Sequence, residues 1–217
     1  MKKILNYLFE HKSLTREQAK EVLHNISKNV YSEAEIAAFI TVYLMRSITI
    51  EELQGFRDAL LELCVPVDLN GHEVIEIVGT GGDGKNTFNI STLSCFIVAG
   101  TGTKVAKHGN YGASSISGSS NVMEQLGYVF KNDNDVLKKE LDEANICFLH
   151  APMFHPALKV VGPIRKNLGV RTFFNMLGPM VNPASPKYQL VGVYNLEMAR
   201  IYNYLLQQGS SAFTIIH

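Results

Sequence analysis

The chain has 217 residues, enough for one large domain or two small ones with a buried core. Its 20 basic and 20 acidic residues give a formal net charge of zero, which argues against general attraction to nucleic acid or membranes. The cysteines Cys64, Cys95 and Cys147 lie in apolar surroundings without CxxC spacing, so they predict free thiols in a reducing, cytoplasmic compartment. The first residues lack a signal-peptide pattern, and the apolar run Ile36–Met45 is too short to cross a bilayer.

Residues 1–66 carry helical signals throughout and predict a helical domain. Three pairs have the spacing of a capping box, in which the first side chain caps a helix and the second reaches back. They are Thr15 with Gln18, Ser32 with Glu35, and Thr49 with Glu52. The helix predicted after Ser32 is apolar nearly all round, which favours a homodimer through this domain.

From residue 73 the pattern changes to strands alternating with helices. Strands are predicted at 73–78, 104–106, 145–151, 190–194 and 212–217, and helices at 91–99, near 121–126 and at 197–208. This alternation predicts an α/β domain of residues 73–160 and 187–217, with a largely parallel sheet and helices on both faces. Residues 162–186, rich in Pro, Gly and Asn, are predicted to return to the helical domain.

The segment GTGGDGKNTFNIST, residues 79–92, connects the first predicted strand to a helix. Four glycines in six residues allow the backbone to approach a ligand, and amides at a helix start attract anions. Ser91 and Thr92 lie where a helix N-cap is expected. The segment therefore predicts a phosphate-binding loop.

Two other interpretations of this loop lack a required residue. The glycines fit G-x-G-x-x-G, but residues 100–120 contain no acid to bind a ribose, as a dinucleotide site needs. The loop also fits G-x-x-x-x-G-K, but Asn86 occupies the position where a P-loop has Ser or Thr. Asp83 inside the loop implies that a metal ion or sugar hydroxyls accompany the phosphate.

A second polar loop, KHGNYGASSISGSSN at residues 107–121, follows the second predicted strand. It offers Lys107, His108, five serines and three glycines, which suit another anion site. Loops that follow neighbouring parallel strands lie side by side at the carboxyl edge of the sheet. The two loops together predict a ligand with two phosphate groups.

These two loops, followed by RKNLGVRTFFNMLGPMVNP at residues 165–183, resemble anthranilate phosphoribosyltransferase over nearly the whole chain. That family shares a fold group with the pyrimidine nucleoside phosphorylases, with a small helical domain and a larger α/β domain. The resemblance implies transfer of ribose 5-phosphate from phosphoribosyl pyrophosphate to the amino group of anthranilate, with release of pyrophosphate, in tryptophan biosynthesis. It also implies Mg²⁺ as the cofactor.

The resemblance also implies which residues bind. Phosphoribosyl pyrophosphate is expected to contact Gly79, Gly82, Asp83, Thr87, Asn89, Ile90, Ser91, Thr92, Lys107, His108, Gly109, Asn110, Ser114, Ser115 and Ser119. Ser91 is expected to bind one Mg²⁺, and Asn110 and Arg165 to hold anthranilate, with a contact from Gly79. A guanidinium suits the anthranilate carboxylate. No general base is assigned, because His108 is equally suited to bracing its loop.

The chain departs from the family pattern at three places. Tyr111 replaces a frequent arginine, and Asn121 replaces a frequent aspartate that starts a helix. No adjacent acidic pair follows Glu143, whereas the family continues beyond this chain to an Asp–Glu pair that binds a second Mg²⁺. The chain is therefore expected to lack the C-terminal part and to be weakly active or inactive.

Two further functions remain open from the sequence. A pyrimidine nucleoside phosphorylase-like enzyme would share the fold and the phosphate loops. A non-catalytic relative that binds nucleic acid would need a basic groove, which the zero net charge disfavours.

Overall fold

The computed structural model describes residues 1–81, 84–85, 87–112 and 117–217. They form two compact units. The helical unit comprises Met1–Cys64 and His155–Leu177, and the α/β unit comprises Val65–Phe154 and Gly178–His217. No helix within the described ranges is long and apolar enough to cross a membrane.

The helical unit begins with four helices, α1 (Lys2–Phe9), α2 (Arg16–Ser27), α3 (Glu33–Met45) and α4 (Ile50–Leu63). The three predicted capping boxes are confirmed at the starts of α2, α3 and α4. After the chain returns, α9 (Pro156–Leu168) and α10 (Phe174–Leu177) complete the unit.

Close packing and aromatic contacts hold this unit together. A Cβ at Gly55 of α4 would lie 2.2 Å from the carbonyl oxygen of Arg16, so the glycine permits α2 and α4 to approach. Phe56 of α4 stacks on Phe173, and Phe39 of α3 contacts both rings edge-on. Most of the apolar surface of α3 is thus used inside the unit, and Leu44 and Met45 at its end stay exposed.

The returning segment begins and ends earlier than the predicted 162–186. Pro156 starts α9 at the first helical turn, where the missing N–H costs nothing, and the helix packs on α2. Residues from Gly178 onward belong instead to the α/β unit. There Asn182 Nδ2 donates to the carbonyl of Ala106 at 3.0 Å, and the carbonyl of Pro183 accepts from the amide of Val67 at 3.1 Å.

The described residues of the α/β unit form five strands: β1 (Ile75–Gly79), β2 (Val105–Gly109), β3 (Ile146–His150), β4 (Tyr188–Gly192) and β5 (Ala212–Ile216). Its helices are α5 (Ile90–Gly100), α6 (Ser119–Gln125), α7 (Asn134–Ala144), α8 (Ala151–Phe154) and α11 (Leu196–Leu206). The strands pair only in parallel, in the order β3-β2-β1-β4-β5. The predicted fold class is confirmed.

Both faces of the sheet are covered by apolar side chains. On one face, Ile77 and Val105 pack with Cys95 and Ala99 of α5. On the other, Ala106, Cys147 and Leu149 pack with Leu137 and Leu141 of α7. Neighbouring residues of β2 thus face opposite sides, as the period of a strand requires.

This strand order fixes where a ligand can bind. The chain adds β2 and β3 on one side of β1 and β4 and β5 on the other, so the order reverses at β1 and β4. Open parallel sheets bind ligands outside the carboxyl ends of the strands at such a reversal. The glycine loop at residues 79–92 begins at the carboxyl end of β1.

A buried carboxylate, Glu52, connects several segments of the helical unit by hydrogen bonds. It caps α4 and also accepts hydrogen bonds from the amide of Leu14, at 2.9 Å, and from Arg46 Nη1, at 3.0 Å. Burial alone would raise its pKa, but hydrogen bonds from Arg46, Thr49 and Leu14 lower the pKa below its ordinary value.

We expect Glu52→Gln to lower the free energy of unfolding by about 3 kcal/mol, because Arg46 would keep a largely buried charge without its partner. Denaturant titration measures this loss. The matched control is Glu51→Gln, since Glu51 is exposed on the same helix, and it should change stability by less than about 0.5 kcal/mol. Equal effects of the two substitutions would contradict the assignment.

Candidate active site at the ends of β1 and β2

The first loop leaves β1 beside β4. The amide of Thr80 donates to the carbonyl of Gly192 at 2.9 Å, which extends the pairing past the last residue of β1. Gly81 and Gly84 have φ of 61° and 70°, a left-handed conformation that favours glycine. Gly82, Asp83 and Asn86 lie outside the described residues.

The helix after this loop begins one residue earlier than predicted. Asn89 is the N-cap of α5, so Ser91 and Thr92 lie in its first turn and not at the cap. The Asn89 side chain makes no capping hydrogen bond, and its Nδ2 donates to the carbonyl of Ser117 in the second loop at 3.3 Å. This hydrogen bond connects the first glycine loop to the second.

The first turn of α5 presents two hydroxyls. Thr92 is buried, and its Oγ1 has no hydrogen-bond partner among the described residues. Ser91 Oγ lies 3.4 Å from Lys107 Nζ. The first amides of a helix have no partner within the helix and carry a partial positive charge. Hydroxyls and amides together are suited to binding an anion.

The sequence predicts Lys107 at the start of the second loop, but in the structure it lies within β2. The strand extends to Gly109 because it pairs with β3 along its full length, from Val105 beside Ile146 to Gly109 beside His150. Lys107 is 2% exposed, and its ammonium donates to the carbonyl of Ile77 at 2.8 Å. No carboxylate of the described residues forms an ion pair with it. A buried cation paired only with neutral oxygens is costly unless an anionic ligand arrives.

The second loop closes on itself at its base. A Cβ at Gly109 would lie 2.2 Å from Ser119 Oγ and 2.7 Å from Cζ of the buried Phe148 ring, and one at Gly118 would lie 2.4 Å from the carbonyl oxygen of Asn110, so both positions require glycine. The amide of Ser120 donates to the carbonyl of Asn110 at 3.1 Å. Ser114 and Ser115 lie outside the described residues.

Asn121 has a different role from the one predicted. It is the third residue of α6, which begins at Ser119, and its Oδ1 accepts from the amides of Gly118 at 2.9 Å and Gly112 at 3.1 Å. It therefore joins the two ends of the loop. Glu124, three residues further along α6, accepts a hydrogen bond from the Tyr111 hydroxyl at 2.6 Å.

Two histidines are fixed near these loops by the α/β unit. His108 Nδ1 lies 3.3 Å from the carbonyl oxygen of Gly178, so this ring connects the end of β2 to the 3₁₀ turn Gly178–Met180. His150 Nδ1 lies 2.8 Å from Ser120 Oγ, and its ring stacks on Phe130 at 4.0 Å. Burial lowers the pKa of His150 below its ordinary value, which favours the neutral ring. No cluster of three or more His, Cys, Asp or Glu side chains suited to a metal occurs within the described ranges.

Arg165 belongs to the helical unit, in the last turn of α9. Its Nη2 donates to Asn175 Oδ1 at 3.2 Å, and its guanidinium carbon lies 5.4 Å from the centroid of the Phe174 ring. Burial lowers the pKa of the guanidinium.

The structure brings part of the predicted set together in the α/β unit. Contacts join Lys107 with Ser91, Ser119 with Gly109 and Asn110, and the N-cap residue Asn89 with the second loop. Gly79 ends β1, while Thr87 and Ile90 are exposed near the start of α5. Sequence reasoning missed Gly118 and Glu76; the single acid among the apolar residues of β1 was the available signal for Glu76.

Comparison with known proteins agrees with this architecture. A family profile described as "Glycosyl transferase family, a/b domain" matches residues 71–217, and "Glycosyl transferase family, helical bundle domain" matches residues 2–64. The chain belongs to this glycosyl transferase family.

Two similar relatives are anthranilate phosphoribosyltransferases. Those of Flavobacterium johnsoniae and Christiangramia forsetii are 64% and 63% identical over the whole chain, which spans 66% of their length. The predicted resemblance is thereby confirmed. Among solved structures, the Thermus thermophilus enzyme matches with a TM-score of 0.81 at 35% identity, over 93% of this chain and 62% of that one. The Saccharomyces cerevisiae enzyme in complex with PRPP and Mg matches with a TM-score of 0.84 at 30% identity, over 93% and 61%.

Glu76 is the buried carboxyl behind this site. It lies on β1 with no exposed surface, and Gln189 Nε2 of β4 donates to it at 3.4 Å. Burial raises its pKa from the ordinary 4.5 to about 8, although the charge of Lys107 acts in the opposite direction.

We expect stability to fall as the pH rises from about 4.5 to about 8, because the folded chain keeps a proton on Glu76 that the unfolded chain releases. The expected slope is up to about 1.4 kcal/mol per pH unit. Glu76→Gln removes this titrating group, so its free energy of unfolding should match the original at about pH 4 and exceed it near pH 8. Urea titrations at several pH values measure the difference, with the exposed Glu51→Gln as control. A difference that stays constant with pH would contradict the prediction.

Proposed function

We propose that the protein transfers the 5-phosphoribosyl group from phosphoribosyl pyrophosphate to the amino group of anthranilate. In this reaction the bond from ribose C1 to pyrophosphate breaks, a bond from C1 to nitrogen forms, and the amine loses a proton. The observation that carries the proposal is the buried ammonium of Lys107 beside Ser91, at the start of α5 and between two glycine loops. The choice of substrates is supported by the similar relatives, which are anthranilate phosphoribosyltransferases.

The phosphate groups are assigned to the α/β unit. Lys107, the hydroxyls of Ser91 and Thr92 and the first amides of α5 would bind the pyrophosphate side, where negative charge grows as the bond breaks. Asn110 and Ser119 would line the second anion site, in the second loop. The proposed set also keeps Gly79, Gly82, Asp83, Thr87, Asn89, Ile90, His108, Gly109, Ser114 and Ser115.

Mg²⁺ is proposed as the cofactor. A hydroxyl oxygen is a ligand that Mg²⁺ accepts, and Mg²⁺ is commonly held by a few protein oxygens together with substrate phosphates. Ser91 fits such a partial site. When bound, the ion would neutralise charge on the leaving pyrophosphate.

Anthranilate is assigned to Arg165 and Asn110. The guanidinium of Arg165 forms no ion pair with a described Asp or Glu, so it remains available for the carboxylate of the substrate. We assign no general base, because catalysis of this kind depends mainly on positioning and charge stabilisation. A cytoplasmic location is proposed from the free thiols of Cys64, Cys95 and Cys147.

We expect Lys107→Met to weaken the binding of phosphoribosyl pyrophosphate by about 10- to 100-fold, since hydrogen bonds to charged groups contribute about 1.5–3 kcal/mol. Isothermal titration calorimetry in the presence of Mg²⁺ measures the affinity. Without ligand, the melting temperature should stay equal or rise, because a buried charge is removed.

Lys104→Met is the matched control. Lys104 precedes the same strand at its other end and pairs with Asp142, so its loss should leave the affinity unchanged. Unchanged affinity of Lys107→Met would overturn the proposed phosphate site. Phosphorolysis of uridine or thymidine with inorganic phosphate would favour a nucleoside phosphorylase instead.

We also propose a homodimer through the helical unit. The exposed apolar side chains of the unit support this proposal; they are Tyr7, Phe9, Val30, Leu44 and Met45.

Light scattering after size-exclusion chromatography should give twice the mass of the 24.1 kDa chain. Met45→Glu should shift this mass toward the monomer, because a charge cannot be buried in the interface without cost. Leu126→Glu, an exposed apolar position in the α/β unit, should leave it unchanged. A monomer for the original chain would refute the dimer.

A further inference from the structure

The surroundings of Arg165 hold its guanidinium without neutralising it. One edge donates to the carboxamide oxygen of Asn175 at 3.2 Å, and the ring of Phe174 lies 5.4 Å from the guanidinium carbon. Arg165 sits at the end of α9, where Gly169, with φ of 64°, turns the chain toward α10. The contacts of Arg165 therefore come from the segment that follows its own helix.

The same unit contains an arginine that is neutralised. Arg46 pairs with the buried carboxylate of Glu52 through both of its terminal nitrogens. Arg165 has no such partner among the described acids, although it too is partly buried. The difference between the two sites is the acceptor, which is a carboxylate for Arg46 and a neutral amide for Arg165.

Asn175 Oδ1 accepts two hydrogen bonds. Besides the one from Arg165, it accepts from the amide of Thr172 at 3.0 Å, at the start of α10. That second bond fixes the amide oxygen to the backbone, so the guanidinium is held in one orientation. A guanidinium has five N–H donors, and the remaining ones can receive a carboxylate in a two-point contact.

We infer that Asn175 is a positioning residue that orients the Arg165 guanidinium for a substrate carboxylate while leaving its positive charge available. This inference rests on the proposed function, in which Arg165 binds anthranilate. An aspartate at this position would keep both hydrogen bonds, but its negative charge would neutralise the guanidinium charge that the substrate carboxylate needs. The neutral amide therefore orients the guanidinium without neutralising its charge.

Asn175→Asp is the decisive variant, because a purely structural role and a positioning role predict opposite results. Both donors keep an acceptor, so the melting temperature and the affinity for phosphoribosyl pyrophosphate should change little. The affinity for anthranilate, measured by isothermal titration calorimetry with pyrophosphate and Mg²⁺ present so that no transfer occurs, should fall by about 10- to 100-fold. Affinity within about threefold of the original chain would overturn the inference.

Two further variants test whether the loss of binding comes from the charge at position 175. Asn167→Asp adds the same charge at an exposed position of α9 and should leave anthranilate binding unchanged. Asn175→Ala removes the orientation but leaves the charge, so binding should weaken by about tenfold. If Asn175→Asp fails to fold, unchanged binding by Asn175→Ala would overturn the inference.

Arg165→Gln separates this inference from the proposed function. If it binds anthranilate as well as the original chain does, or if the original chain does not bind anthranilate, the proposed function fails and the inference with it. If Arg165→Gln loses binding while Asn175→Asp retains it, only the inference about Asn175 fails.

Discussion

Lys107 places an ammonium group inside the α/β unit with a carbonyl oxygen and a hydroxyl as its hydrogen-bond partners. The candidate site depends on this buried charge. The parallel sheet creates it, because β2 lies between β1 and β3 and carries Lys107 on the face covered by α5. The ammonium reaches the carbonyl of Ile77 on β1 and Ser91 on the first turn of α5. One side chain thus connects both strands to the helix whose N-terminus attracts anions.

The two glycine loops are organised by backbone contacts more than by charged side chains. Gly109 and Gly118 allow the base of the second loop to close, and Asn121 joins the amides on either side of residues 113–116. Asn89 then connects the first loop to the second. Amides held in this way need no reorganisation when an anion binds, which is the condition for electrostatic catalysis. At Arg165 in the helical unit, a neutral amide likewise orients a cation without neutralising its charge.

Local chemistry made much of the fold predictable. The capping boxes that start α2, α3 and α4 need only a residue and its neighbour three positions on, so their spacing was sufficient. The parallel sheet followed from the alternation of strands and helices. The domain boundaries after residue 154 were less predictable, because the Pro- and Gly-rich segment divides according to long-range contacts. Asn182 binds the backbone of β2, whereas α9 packs on α2.

The sequence by itself determined the two glycine loops, the polar residues within them and the family resemblance, since all three depend on residues close together in the chain. Only the tertiary structure decided that Lys107 lies buried within β2, that Glu76 is enclosed beside Gln189, and that Asn121 joins the ends of a loop. Strand register places Lys107 beside Ile77 and Glu76 beside Gln189, tens of positions away in the chain. Burial and hydrogen-bond partners arise from that register, and sequence spacing carries no record of them.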